Sequence, residues 1–175
     1  MIRRLCVFVL LATLTSPAMA QQGPAQGQGR AGGAAGPPPA PAAPIPAPSS
    51  VSAEKMIGTA RAKATEMGVN LACAVLDAHG DMVAAIRMDG ATFLNLAVAQ
   101  AKARASAFFG QPSGAFGDRG AVLANIGAAA GETMLTVQGA VPIVQNNRRV
   151  GAIGCSGAAA SQDEEAARAG LMAAQ

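Results

Sequence analysis

Eight of the eleven prolines lie between residues 21 and 50, among Gly, Ala and Gln and with one charge, Arg30. This concentration confines any packed core to residues 51–175. A segment with so little to bury cannot offset the entropy of ordering its backbone. Residues 21–50 are therefore expected to form a disordered or polyproline-II-like linker. A plain spacer fits that composition better than a Pro-x-x-Pro ligand.

Residues 1–20 carry the pattern of a secretory signal peptide. Arg3 and Arg4 form a positive n-region, Leu5–Leu14 an apolar h-region, and Ala18-Met19-Ala20 the small-x-small site, with Pro17 breaking the run before it. The apolar run is shorter than the ~20 residues of a bilayer-spanning helix. Cleavage is expected after Ala20, taking Cys6 with it. No later segment is apolar enough to span: His79, Asp81, Arg87 and Asp89 interrupt one stretch, Lys102 and Arg104 another. The expectation is an exported protein, periplasmic or secreted, without stable membrane insertion.

Several function classes are excluded by composition. Aromatic residues are 3% of the chain, with no Trp or Tyr, so a base-stacking surface for single strands is missing. The net charge of +3 is misleading, because Arg3, Arg4 and Arg30 account for it. Beyond residue 50 the charges balance, and no electrostatic attraction to nucleic acid is built in. A single His, and Cys only at 6, 73 and 155, rule out multi-His metal sites, zinc ribbons and iron–sulfur boxes.

The periodicities place a helix from Ser52, as its cap, to about Met67, with Ile57, Ala60, Ala64 and Met67 on one face and Gly68 after it. Val69–Leu76 and Met82–Arg87 read as strands joined by the turn residues Asp77-Ala78-His79-Gly80-Asp81. Ala91–Phe109 is the longest helix. Phe93, Leu96, Ala97, Gln100, Ala101, Arg104 and Phe108 mark one side of it, and Gly110 and Pro112 end it. Residues 113–131 suggest a loop with a short helix near Val122–Ile126. Strands are expected at Thr133–Val137, Ala140–Val144 and Arg149–Ser156, the last two joined by an Asn146-Asn147 turn. Ser161 and Glu164 look like a capping box for a final helix to about Ala173. Hairpins with flanking helices imply an α+β fold with an antiparallel sheet, and alanine-rich helices imply close helix–sheet or subunit contact.

Seven blocks in order carry a family resemblance: Val75–Gly80, Arg87–Ala91, Ala99–Ala103, Phe108–Pro112, Gly139–Ile143, Val150–Gly157 and Gln162–Glu165. Over about residues 52–175 the chain resembles the GlcG/HbpS-like haem-binding family. That resemblance implies a profilin-like fold with a five-stranded antiparallel sheet flanked by helices, a tendency to form homo-oligomers, and a tetrapyrrole-related role. His79 stands where the family often has a second Gly, and residues 113–131 match poorly.

His79 is the only residue able to offer iron an imidazole, and a turn position would free its ring to meet a macrocycle; a solvated turn His is the plain alternative. Met82 and Met88 are secondary thioether candidates, although strand Met usually fills core. No C-x-x-C-H is present, which excludes covalent haem attachment. Arg87 or Lys102 would grip a propionate or small carboxylate, against internal ion pairing, such as Asp89–Lys102, or plain surface charge. Gly154-Cys155-Ser156-Gly157 is not a nucleophile elbow, being one residue short of G-x-S-x-G. Cys73 and Cys155 fall on strands that the implied fold makes neighbours, and they are either a disulfide or two buried thiols.

Three functions compete at this point. The first is non-covalent haem or tetrapyrrole binding, with His79, Arg87 and Lys102 as contacts, His79 as the metal ligand, and no catalytic residue. The second is an enzyme or sensor of small hydroxy or keto acids of the glycolate type, which the family's association suggests. In it Arg87 and Lys102 hold the carboxylate and Asp77 or Glu164 moves a proton. The third is a structural oligomerisation module.

Overall fold

The computed structural model describes residues 46–173. The expected leader and all of the linker up to residue 45 lie outside the described residues. Helix α1 spans Ser50–Glu66, with its cap one turn earlier than the sequence suggests: Ser49 accepts the Ser52 amide at 3.2 Å. Ser52 lies inside the first turn. Gly68, at φ 69°, follows the helix end, where a side chain would be strained.

Strands β1 (Ala72–Asp77) and β2 (Met82–Arg87) form the first hairpin, and β3 (Ala140–Gln145) and β4 (Arg148–Ser156) the second. Asn146 and Asn147 both take positive φ, 50° and 58°, which is the backbone a two-residue hairpin turn requires. The described sheet is fully antiparallel in the order β2-β1-β4-β3. Helix α2 (Leu94–Phe109) packs on one face, and α1 with α4 (Ala160–Met172) on the other. A 3-10 turn at Gly117–Arg119 leads into α3 (Gly120–Ala129), longer than the short helix expected there.

Burial on both faces explains the uninterrupted apolar run of β1. Cys73 and Val75 enter the core under α1 and α4, whereas Ala74 and Leu76 enter the core under α2. On the α2 side the contact is made by proximity rather than bulk. A Cβ on Gly154 would sit 2.6 Å from the Ala99 carbonyl oxygen, and Ala103 and Ala107 pack against the same sheet. The expected close packing of alanine-rich helices is realised here within the domain.

The sheet has four strands among the described residues, not five. Thr133–Val137 does not join it, because its backbone groups are satisfied elsewhere. The Leu135 amide donates to the Ala101 carbonyl on α2, and Ser113 Oγ donates to the Val137 carbonyl at 2.7 Å. Its side chains cover the outer face of α2 instead, where Met134 and Phe116 bury Ala105. Apolar patterning alone does not distinguish this cover from a strand.

The expected cap of α4 is also different. Its N-cap is Ala159, whose amide is met by Gln162 Oε1 at 3.4 Å. Glu164 turns instead to Arg168, one turn on, with contacts of 2.9 and 2.7 Å to the guanidinium. Between the helices, Lys63 bridges Glu66 on α1 and Glu165 on α4 at 3.1 and 3.0 Å. Hydrogen bonds that Lys63 donates to Glu165 and then to Glu66 raise its pKa above the ordinary 10.5.

Cys73 and Cys155 are register partners on the two central strands, with Cα atoms 4.1 Å apart, and they form a disulfide. The alternative of two buried free thiols does not hold. Their register position under α1 and α4 decided it.

Candidate functional site

The β1–β2 turn is built around Asp77. Its Oδ1 accepts the amides of His79 at 2.8 Å and Asp81 at 3.0 Å, a charge-assisted arrangement that fixes the turn and leaves His79 exposed. Gly80 sits over α2: a Cβ there would meet the Phe108 ring at 3.0 Å and Arg104 Cγ at 3.3 Å. The turn carrying His79 therefore rests on the Arg104–Phe108 flank of the helix. Asp77 is committed to this turn, which leaves Oδ1 occupied for the proton-transfer role considered above.

From that turn β2 runs along the edge of the sheet. Met82, Ala85 and Arg87 pair with Leu76, Ala74 and Ala72, so they share the sheet face that α2 covers over the central strands. Helix α2 stops short of covering β2. The Gln100 amide nitrogen lies 3.9 Å from the Met82 sulfur, and the Arg87 guanidinium donates to the Ala91 carbonyl at 2.9 Å. Phe93, Ala97, Gln100 and Arg104 follow one another at helical spacing along this flank. The result is an open shelf with Met82 47% and Phe93 81% exposed, and with Ala85 and Ala97 exposed between them. Five residue steps of about 3.3 Å separate Met82 from Arg87, so the shelf is about 16 Å long. Exposed apolar side chains brought to one edge of the sheet make this a candidate surface for a ligand or partner.

Lys102 is not part of it. The residue is 3% exposed, and its Nζ lies 2.7 Å from Asp163 Oδ2 and 3.5 Å from the Cys155 carbonyl. Asp163 Oδ1 in turn accepts the Ala158 amide at 3.0 Å. Lys102 thus crosses the end of the sheet to join α2 to α4, and it leaves the set of ligand-gripping residues. The expected internal pairing is present, but with Asp163 rather than Asp89. Nothing local in the sequence links these two residues, which stand 61 positions apart. Met88 is also removed: it packs against the core and its sulfur receives the Leu71 amide at 3.5 Å.

Two clefts have charged residues in their linings, and the first shares Arg87 with the shelf. One of about 320 Å³ is lined by Arg61, Thr65, Asn70, Arg87 and Asp89, between α1 and the end of β2. The other, of about 310 Å³, is lined by Gln138, Glu164 and Arg168 beside Pro112–Ala115. Among the described residues no three His, Cys, Asp or Glu side chains converge as a metal-binding group, and no helix is long and apolar enough to cross a membrane.

The described residues form a small α+β domain, an antiparallel sheet between helices, with an apolar shelf open along one edge. The chain belongs to the HbpS-like family, described as haem degrading protein HbpS-like, which it matches over residues 49–172. No curated protein shows a significant match. Among solved structures, a double mutant of Streptomyces reticuli HbpS is 25% identical, with a TM-score of 0.68 over 83% of this chain and 97% of that one. The Klebsiella pneumoniae protein ORFY is 22% identical, with a TM-score of 0.69 over 76% and 94%. The PduOC–haem complex is 22% identical, with a TM-score of 0.65 over 73% and 94%. These last two likenesses establish a shared fold.

Proposed function

We propose that this domain is an exported protein that binds haem, or a related tetrapyrrole, non-covalently on the shelf between β2 and α2. The observation that carries the reading is the exposed surface of Met82, Ala85, Phe93 and Ala97 with an imidazole at one end and a guanidinium at the other. A flat apolar ligand would bury that surface at about 25 cal/mol per Å². The turn held by Asp77 leaves the His79 imidazole exposed, where it would hold the iron of such a ligand. At the far end Arg87 uses one guanidinium nitrogen on Ala91 and keeps its other donors for a carboxylate. Bound haem would supply an iron centre that the His79 imidazole could ligate. The family description and the haem-bound structural neighbour support this reading.

Export is supported by two features: the leader pattern of residues 1–20 and the buried disulfide, a bond that persists in oxidising compartments. Intact mass of the exported protein should show Gln21 at its N-terminus, and full-length protein in the membrane fraction would refute cleavage. A second reading, a small carboxylate ligand, is favoured by the Arg61–Arg87 cleft.

Haem titration separates the two. The haem reading expects a saturable Soret shift at one haem per chain, changed more by His79→Ala than by Met82→Ala. An unchanged His79→Ala spectrum would refute the axial role. Absence of any shift, with calorimetric binding of a small hydroxy acid that Arg61→Gln abolishes, would favour the second reading. Decay of the bound Soret band under reductant would point to the degradation named in the family description.

A further inference from the structure

We propose that the Cys73–Cys155 bond is made on the incompletely folded chain by thiol–disulfide exchange with an external disulfide donor, and that folding then seals it. The inference does not rest on the haem reading. Both sulfurs belong to central strands of the sheet, and the residues are 1% and 0% exposed. One side of the pair is closed by α1 and α4, through a core that includes Met56, Ile57 and Ala166. The strands themselves are flanked by β2 and β3. No donor can approach a thiolate in line from any of these directions, and exchange requires that approach. The two cysteines are separated by 82 residues, so the second becomes available only after most of the domain has been made. They are also the only cysteines beyond residue 20, which leaves a single pairing and no resolving thiol.

The chemistry balances as a two-electron transfer. The thiolate of one cysteine attacks the donor disulfide, forming a mixed disulfide and releasing the donor's first thiolate. The second cysteine, losing its proton, attacks the protein sulfur of that mixed disulfide. The protein bond forms, and the two donor thiolates take up the two protons that the cysteines lost, so the donor leaves as a dithiol or two thiols with no net release of protons. Any accessible protein disulfide or glutathione disulfide meets these terms, and the partner class is a disulfide oxidant acting on non-native chain.

The test uses the full chain carrying Cys6→Ala, so that only Cys73 and Cys155 react. The protein is reduced in urea and then either kept unfolded or diluted into native buffer. Glutathione disulfide is added to each, and the remaining thiols are trapped with iodoacetamide and counted by mass. Because a buried thiol reacts only when its strands open, the refolded chain should lose thiols on the order of 100-fold more slowly. A reduced chain that does not refold until oxidant is supplied supports the proposal equally, since the bond then precedes the fold. Thiol loss from the refolded chain within about tenfold of the unfolded rate would overturn it, because such a rate leaves little opening free energy.

Discussion

Replacing Lys102 by Met tests whether this lysine joins two helices or waits for a ligand. Its side chain is 4% exposed and that of Asp163 is 3%, with the charges 2.7 Å apart. In the variant the methionine fills most of the space, but Asp163 keeps its charge and only the Ala158 amide at 3.0 Å. Breaking one side of a buried pair costs about 3–5 kcal/mol, mostly from the stranded charge. With an m-value of about 1–3 kcal/mol/M, the urea midpoint should fall by at least about 1 M. The double variant Lys102→Met/Asp163→Asn removes both charges and keeps an acceptor for Ala158, so it should recover about 1–3 kcal/mol as coupling. At a temperature where the single variant is folded, its haem affinity should stay within about twofold of the parent, the scatter expected for uncoupled sites. A loss below about 1 kcal/mol would refute the buried-pair reasoning. Weakened haem binding in Lys102→Met but not in Asp163→Asn would restore Lys102 to the ligand site.

Gly154→Ala should destabilise by about 1–3 kcal/mol, because the new methyl meets the backbone of α2 and cannot be accommodated by a rotamer change; an unchanged thermal midpoint would contradict the close approach. Asp77→Ala removes the acceptor of two turn amides and should cost about 2 kcal/mol. It should also broaden the His79 imidazole resonances in NMR, and sharp parental resonances would show that the turn holds without it. The Lys63 pKa is raised in the folded state, so its contribution is complete below the unfolded value near 10.5 and is lost as pH rises through the folded value. The difference in thermal midpoint between the parent and Lys63→Met should shrink over that alkaline range; a constant difference would assign the effect to packing.

Local chemistry settled much of this molecule from its sequence. Asn146-Asn147 specifies a tight hairpin because both residues tolerate positive φ, Gly68 stops a helix, and the polar turn Asp77–Asp81 can only join strands. The seven matched blocks likewise carried the family and the α+β class, which the fold and the comparisons bear out. What escaped depends on partners distant in the chain. Thr133–Val137 has a strand's composition, but the carbonyl of Ala101 and the hydroxyl of Ser113 take its backbone groups. Lys102 looks like a free cation on an alanine face until Asp163 arrives from the last helix. Cys73 and Cys155 are two apolar residues until antiparallel register sets them opposite each other. Along the α2 flank, Phe93, Ala97, Gln100 and Arg104 were legible as one side of a helix, but not that Phe93 and Ala97 would stay exposed on it. Helical spacing determines which residues share a face; which face stays bare is decided by where the neighbouring layer ends, and here it ends short of β2.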